Sequence, residues 1–162
     1  MNATLGRTLR GLAATAAILT AIAACSAGAA SPPPSVSVPD GFPIGVWTTT
    51  ITEADLRAGG LTKEGEFAEN AGVVTLTMAS DGTWSTAQES EVDLRWPVFR
   101  GTWTVVDEDT FRQTTTFPAD FAGDVVDFTW QSEGDALRIE VDTPPDPVLP
   151  IIFETHPWQP KG

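Results

Sequence analysis

The chain has 162 residues and a net charge of −13, from 22 acidic and nine basic residues. This charge argues against nucleic acid as a partner, because phosphate contacts need a basic patch, and against electrostatic adhesion to anionic lipid. The single cysteine excludes an intrachain disulfide, so we expect the fold to depend on side-chain packing.

The first 24 residues have the layout of a secretory signal peptide. Arg7 and Arg10 precede a run of about 14 mostly apolar residues, 11–24. A transmembrane helix needs about 20 apolar residues, whereas a basic start and a short apolar centre are typical of a cleaved export signal. We expect residues 1–24 to be removed, which leaves seven basic and 22 acidic residues and a net charge of −15.

The only cysteine, Cys25, directly follows the apolar run in Ile22-Ala23-Ala24-Cys25. This tetrapeptide resembles the lipobox of bacterial lipoproteins, in which the cysteine thiol receives a diacylglycerol and the chain is cut just before it. The resemblance implies lipid attachment at Cys25, with palmitate-type acyl chains, and a location on the extracytoplasmic face of the cell membrane. Two alternatives remain: an ordinary signal peptide cleaved after Ala30, and a buried structural cysteine.

The composition of the segment that follows the predicted signal peptide predicts a spacer. Residues 25–41 are rich in Pro, Ser and Ala and include three consecutive prolines, which is the composition of a semi-rigid tether. Residues 42–162 then form one domain that is long enough for a sizeable core.

Alternation with period two predicts strands along most of this domain. Thr52 precedes acidic residues and the run ends at Gly59-Gly60, so one short helix is predicted after the first strand. Turn residues such as Ser80-Asp81-Gly82 separate the later strands. The predicted strands are Gly45–Ile51, Gly72–Ala79, Thr83–Gln88, Phe99–Val106, Thr110–Phe117, Asp124–Gln131, Ala136–Asp142 and Val148–Thr155.

Eight antiparallel strands with tight connections predict an all-β fold, a meander that is closed or nearly closed into a barrel. The alternative is a β-sandwich, which would need longer crossing connections. Gly45-Val46-Trp47 on the first strand, followed by a short helix and a meander, resembles the calycin superfamily of lipocalins, fatty-acid-binding proteins and avidins. Together with His156-Pro157-Trp158 near the end, the chain resembles small secreted actinobacterial lipoproteins with a lipocalin-like domain. The resemblance implies that Trp47 plugs one barrel end.

Residues for catalysis are scarce in this sequence. There is one histidine and no tyrosine, and no Gly-x-Ser-x-Gly elbow presents a nucleophile. His156 ends the last predicted strand, where a hydrogen bond to nearby backbone is expected; the lipocalin resemblance suggests an axial haem ligand as the alternative. We therefore expect no enzyme, no cofactor and no metal.

Acidic residues cluster at three places that could in principle serve a glycosidase or bind calcium. Because they fall at turns and strand ends, solubility is the simpler explanation. These clusters are Glu89/Glu91/Asp93, Asp107/Glu108/Asp109 and Asp124/Asp127.

Aromatic side chains are the strongest indication of function. The domain is rich in tryptophan and phenylalanine, and Phe111 shares a strand face with Gln113, Thr115 and Phe117. Apolar walls with a few oriented polar groups are typical of small-molecule pockets, although the rings can also simply fill a small barrel. We predict that the barrel binds a small, largely apolar ligand, with a wall formed by Trp84, Trp103, Phe111 and Trp130.

The alternative function is a non-catalytic interaction or structural module of the cell envelope, an accessory to a transporter or wall enzyme. Such a module would expose a contiguous apolar patch. Trp96-Pro97-Val98 and His156-Pro157-Trp158 are its candidate contact residues.

Substitution of the predicted lipid-bearing residue tests the anchor. Cys25→Ser removes the thiol nucleophile, so metabolic labelling with a fatty-acid analogue should disappear and the precursor should stay uncleaved. Ser26→Ala, one residue away, should be labelled as in the wild type. Label that persists in Cys25→Ser, or unlabelled wild-type protein in the medium, would contradict lipid attachment.

Overall fold

Eight antiparallel strands form one sheet, in which strands that are consecutive in sequence are neighbours. The computed structural model describes residues 38–90 and 98–162, all within the compact unit Pro33–Gly162. The order across the sheet is β7-β6-β5-β4-β3-β2-β1-β8. The strands are β1 (Gly45–Ile51), β2 (Gly72–Met78), β3 (Thr83–Glu89), β4 (Phe99–Val105), β5 (Thr110–Phe117), β6 (Val125–Glu133), β7 (Ala136–Val141) and β8 (Gln159–Pro160).

The last residues of the chain nearly close this sheet into a barrel. Gln159 pairs with Thr48 of β1, while the preceding Trp158 forms an antiparallel bridge with Leu137 of β7. In that bridge Leu137 N donates to Trp158 O at 2.9 Å and Trp158 N donates to Leu137 O at 2.7 Å. The predicted eight-stranded antiparallel barrel is therefore confirmed, and the sandwich alternative is not what forms.

The eighth strand was predicted at the wrong place. Val148–Glu154 is a helix, α3, with Ile151 and Phe153 buried, whereas the prediction made 148–155 a strand. A short apolar run fits both periods, and side-chain hydrogen bonds to the first backbone N–H groups favour the helix here. Asp146 Oδ1 accepts hydrogen bonds from Val148 N at 2.8 Å and Leu149 N at 3.1 Å, which satisfies donors that a helix start leaves free.

The connection after β1 contains two helices where one was predicted. α1 (Glu53–Ala58) has the predicted Thr52 N-cap, and α2 (Glu64–Asn70) follows it without a side-chain cap. A short 3-10 helix, Ala119–Phe121, lies between β5 and β6. Lys63 at the N-cap of α2 makes no side-chain hydrogen bond, and Gly65 in the first turn weakens the helical signal of this short segment.

Glycine is required at one place in the barrel wall. The register between β4 and β5 shifts between Arg100 and Gly101. A Cβ atom at Gly101 would lie 1.9 Å from Thr114 O and 2.9 Å from Trp84 Nε1. The absence of a side chain therefore allows the two strands and the Trp84 indole to approach each other closely.

The segment that enters β1 belongs to the barrel. Phe42 is 7 % exposed and Val38 packs against the core, while Phe42 N donates to Pro39 O at 3.1 Å. Residues 38–41, which the sequence assigned to the tether, thus contribute to the packed unit. The predicted signal peptide, Cys25 and the rest of the tether lie outside the described residues.

Asp55 joins α1 to the segment that closes the barrel. Its Oδ2 accepts from Thr52 N at 2.8 Å and lies 3.0 Å from His156 Nε2. The side-chain hydrogen bond of Thr52, its backbone N–H and, to a smaller extent, His156 lower the pKa of Asp55 from 3.8 to about 2, against an opposing effect of burial.

Because this pKa is lower in the folded state, Asp55 stabilises the fold above pH ~4, and the effect is lost as the pH falls towards ~2. Asp55→Asn should therefore reduce the free energy of unfolding by about 2 kcal/mol at pH 7. Urea unfolding followed by circular dichroism should show this deficit shrinking below pH ~4. Asp120→Asn, an exposed change on the 3-10 helix, should have no effect on the free energy of unfolding. A stability deficit in Asp55→Asn that is independent of pH would contradict the lowered pKa of Asp55.

Candidate functional site

One end of the barrel contains a cavity with a volume of about 590 Å³. Inward-facing residues of β2 to β6 form its walls, and α2, α3 and the 3-10 helix border its mouth. We call this half of the barrel the open end. The lining consists of Glu66, Glu69, Asn70, Val74, Trp84, Thr86, Ala87, Gln88, Phe99, Gln113, Thr115, Phe121, Asp124, Val126, Phe128, Pro145, Asp146, Val148, Leu149, Ile152 and Phe153.

Most of the cavity wall is apolar. Phe128 is 1 % exposed and stacks on Phe111 with ring centroids 5.3 Å apart. Phe153 of α3 also packs against Phe128, with ring centroids 4.9 Å apart. Leu149 and Ile152 add aliphatic surface from α3. The helix that replaces the predicted last strand thus supplies part of the wall.

A few polar groups interrupt this wall on β3 and β5. Gln113 is 4 % exposed, and its Nε2 has only a weak acceptor, Met78 Sδ at 3.8 Å. Thr115 is 8 % exposed, and its hydroxyl makes no hydrogen bond to residues 38–90 or 98–162. Gln88 Nε2 is buried and likewise has no partner in this part of the chain. Buried polar groups usually have partners, so these side chains offer hydrogen bonds to a guest in the cavity.

The mouth of the cavity carries carboxylates. Glu66 accepts from Lys63 Nζ at 2.8 Å, and Asp146 accepts from two backbone N–H groups at the start of α3. Glu69 and Asp124 are exposed. None of the described lining residues is basic. Phe121, which is 45 % exposed, forms an apolar part of the rim and packs edge-on against Phe99 at 5.2 Å.

Trp84 is the one residue of the predicted aromatic wall that lines the cavity. It is 6 % exposed, and its indole Nε1 donates to Thr102 O at 3.1 Å. This hydrogen bond satisfies the polar edge of the ring and fixes its orientation. Trp84 therefore presents a rigid apolar surface to the cavity.

The other three predicted wall residues, Trp103, Phe111 and Trp130, lie together at the opposite end, around Phe42. The Phe42 ring stacks on Trp103 at 4.4 Å and meets Phe111 edge-on at 5.7 Å and Trp130 at 5.9 Å. Where the sequence predicted a ligand between these rings, the chain's own Phe42 occupies the space. We call this packed half the closed end.

Two further features distinguish the closed end from the predicted arrangement. Trp47, expected to plug the barrel, is only partly buried, and its Nε1 donates to Pro43 O at 3.0 Å. Trp130 also borders a separate depression of about 330 Å³ with Asp109 and Arg138.

The role of Phe42 in filling the closed end was not predicted, because Phe42 immediately follows the predicted tether. A large ring directly after that segment was nevertheless a detectable signal in the sequence.

The residues considered for catalysis lie apart from one another. His156 is paired with Asp55 and does not line the cavity. Arg112 Nε and Nη2 donate to Asp127 at 2.6 and 2.7 Å, and this bidentate contact lowers the pKa of Asp127. Asp124 lies at the cavity mouth, and Asp107 to Asp109 occupy an exposed turn. Residues 91–97, with Glu91 and Asp93, lie outside the described residues.

Residues 38–90 and 98–162 include no group of three or more His, Cys, Asp or Glu side chains arranged to hold a metal ion. Among the helices of these same residues, none combines the length and hydropathy of a membrane span. No known family model matches the chain, and no curated protein is significantly similar to it in sequence.

The contact of Phe42 with three aromatic rings can be tested by truncation. Phe42→Ala should lower the free energy of unfolding by roughly 3–5 kcal/mol, because it leaves a void between Trp103, Phe111 and Trp130. Phe117→Ala, a partly exposed phenylalanine, should cost less than about 1 kcal/mol. Chemical denaturation measures both values, and equal losses for the two variants would contradict the packed closed end.

Proposed function

We propose that the protein is a lipid-anchored, extracytoplasmic carrier that binds a small, largely apolar molecule at the open end of its barrel. The observation that carries this proposal is the cavity of about 590 Å³, which falls within the usual range of roughly 300–1,000 Å³ for small-molecule sites. Its wall combines rigid apolar side chains with a small number of polar groups. That combination suits a ligand whose surface is mainly hydrocarbon.

The polar side chains inside the cavity favour a ligand-binding site over an empty space left by imperfect packing. A cavity that only reflects imperfect packing is expected to be apolar and small. Here Gln88 Nε2 is buried with no partner in residues 38–90 and 98–162, and Gln113 Nε2 has only the weak acceptor Met78 Sδ at 3.8 Å. Leaving such groups unpaired costs about 1–3 kcal/mol each, and a bound molecule with acceptors or donors would offset that cost.

The membrane part of the proposal rests on the sequence around Cys25. Two acyl chains would hold the protein at the membrane in spite of its net negative charge. The tether would then keep the barrel close to the lipid surface while the cavity exchanges its ligand. Attachment in this manner suits a carrier that collects or delivers an apolar molecule at the membrane.

The alternative proposal, an envelope interaction module, has some support from exposed apolar side chains. Val98, Phe117, Phe121 and Val125 are each between 41 and 52 % exposed. The other candidate contact, Trp158, is fully buried because it packs on Phe153 and bridges to β7, so the expectation of an exposed Trp158 is wrong. Trp96 and Pro97 lie outside the described residues.

A cavity-filling substitution separates the two proposals. Thr115→Phe places a ring in the cavity, whereas Thr116→Phe at the next position of β5 points outward. Titration of the wild type with an apolar fluorescent probe such as Nile red should give saturable one-site binding. The affinity should fall at least about tenfold in Thr115→Phe and be retained in Thr116→Phe.

Folding of both variants is checked by circular dichroism before titration, since an added ring can cost about 1–3 kcal/mol. Loss of binding in a folded Thr115→Phe protein supports the carrier. Absence of saturable binding in the wild type, or equal binding by both variants, would contradict it. The interaction module would instead be supported if Phe121→Ser abolished a stoichiometric complex recovered from solubilised membranes.

A further inference from the structure

The charges at the cavity mouth all have one sign among the described lining residues. Glu66, Glu69, Asp124 and Asp146 are lining residues, and no lysine, arginine or histidine of the described chain joins them. Glu66 is paired with Lys63, and Asp146 receives two backbone N–H groups. The Asp124 carboxylate has no hydrogen bond or ion pair within residues 38–90 and 98–162.

Acidic residues are common on this protein, so their number at the mouth does not define a site. The second, independent observation lies deeper in the cavity. Thr115 is 8 % exposed and lines the cavity with its hydroxyl unpartnered in the described chain. Its backbone N–H donates to Asp124 O at 2.9 Å. The Thr115 hydroxyl inside the cavity and the Asp124 carboxylate at its mouth therefore belong to two residues that are hydrogen-bonded to each other. One ligand can therefore contact both.

From this geometry we infer the class of ligand, an inference that rests on the proposed function. The cavity binds a cationic amphiphile: an apolar body, held between Trp84 and Phe128, with an amine at the mouth beside Asp124. Polar atoms on the body would hydrogen-bond to Thr115 and Gln113. Fatty acids and other anionic amphiphiles are disfavoured because their head group would meet the Asp124 carboxylate.

The selectivity for a cation comes from the position of Asp124 at the rim of an apolar cavity. The Asp124 carboxylate is exposed, but the low-dielectric wall of the cavity beside it focuses its field towards a ligand in the cavity, which strengthens the attraction for a cation. An ammonium group forms a charge-assisted hydrogen bond with such a carboxylate. A carboxylate in the same place would be repelled, and a neutral hydroxyl would gain little.

Three ligands with one hydrocarbon chain and different head groups test this inference: decylamine, decanol and decanoate. At pH 7 they are cationic, neutral and anionic. Isothermal titration calorimetry at low salt should give about tenfold tighter binding for decylamine than for decanol, with decanoate the weakest. Added salt should reduce the difference between the three.

Variants test whether the Asp124 carboxylate is responsible for the preference for a cationic ligand. Asp124→Asn should reduce the preference for decylamine over decanol at least about threefold. Asp135→Asn is the matched control, because it makes the same charge change in the exposed turn between β6 and β7, away from the cavity. It should leave the preference unchanged, and Thr115→Phe should weaken binding of all the ligands.

The outcomes separate this inference from the proposed function. If decanol or decanoate binds as tightly as decylamine, or if Asp124→Asn and Asp135→Asn have equal effects, the cationic class is wrong and the apolar carrier stands. If none of the three binds, both proposals are overturned. Selective, Asp124-dependent binding of decylamine supports both.

Discussion

The Phe42 ring lies between Trp103, Phe111 and Trp130, with the nearest centroid 4.4 Å away, and this contact divides the barrel interior into two parts. A small eight-stranded barrel has room for little more than its own side chains. With four large rings packed at one end, that half is solid. The remaining interior has shorter or polar side chains such as Thr86, Gln113 and Thr115 within its apolar wall, and it stays hollow.

The same segments that nearly close the barrel also build the cover of the hollow half. Trp158 bridges to Leu137 and its indole donates to Phe153 O at 3.1 Å, so the strand pairing and the position of α3 depend on one residue. α3 in turn contributes Leu149, Ile152 and Phe153 to the cavity. Closure of the sheet and formation of the site are therefore physically linked.

Much of the fold could be predicted because strand alternation is a strong local signal. Seven of the eight predicted strands have counterparts with similar bounds, and the Thr52 cap marked α1. The prediction of the eighth strand was wrong because residues 148–155 are apolar at both helical and extended spacing. The hydrogen bonds that favour the helix come from Asp146, which lies outside this run. The helix α2 was not predicted, and in the structure it has no side-chain cap.

The site was less predictable, since it depends on contacts between distant segments. The shared face of Phe111, Gln113 and Thr115 was visible in the sequence, and two of these three residues line the cavity. Which half of that face is hollow depends on Phe42, about 70 residues earlier, and on the helical cover. Trp84 and Trp103 have the same alternating pattern, yet one faces the cavity and the other is packed against Phe42.

The division into a solid and a hollow half is tested most directly by methyl NMR during a titration with decanol. The cavity methyl groups of Val74, Val126, Leu149 and Ile152 should shift together with one saturable affinity. The methyl groups of Leu137 near the closed end and of exposed Val106 should not move. Shifts centred on Leu137 or on the outer surface, or no shifts at all, would contradict a ligand cavity at the open end of the barrel.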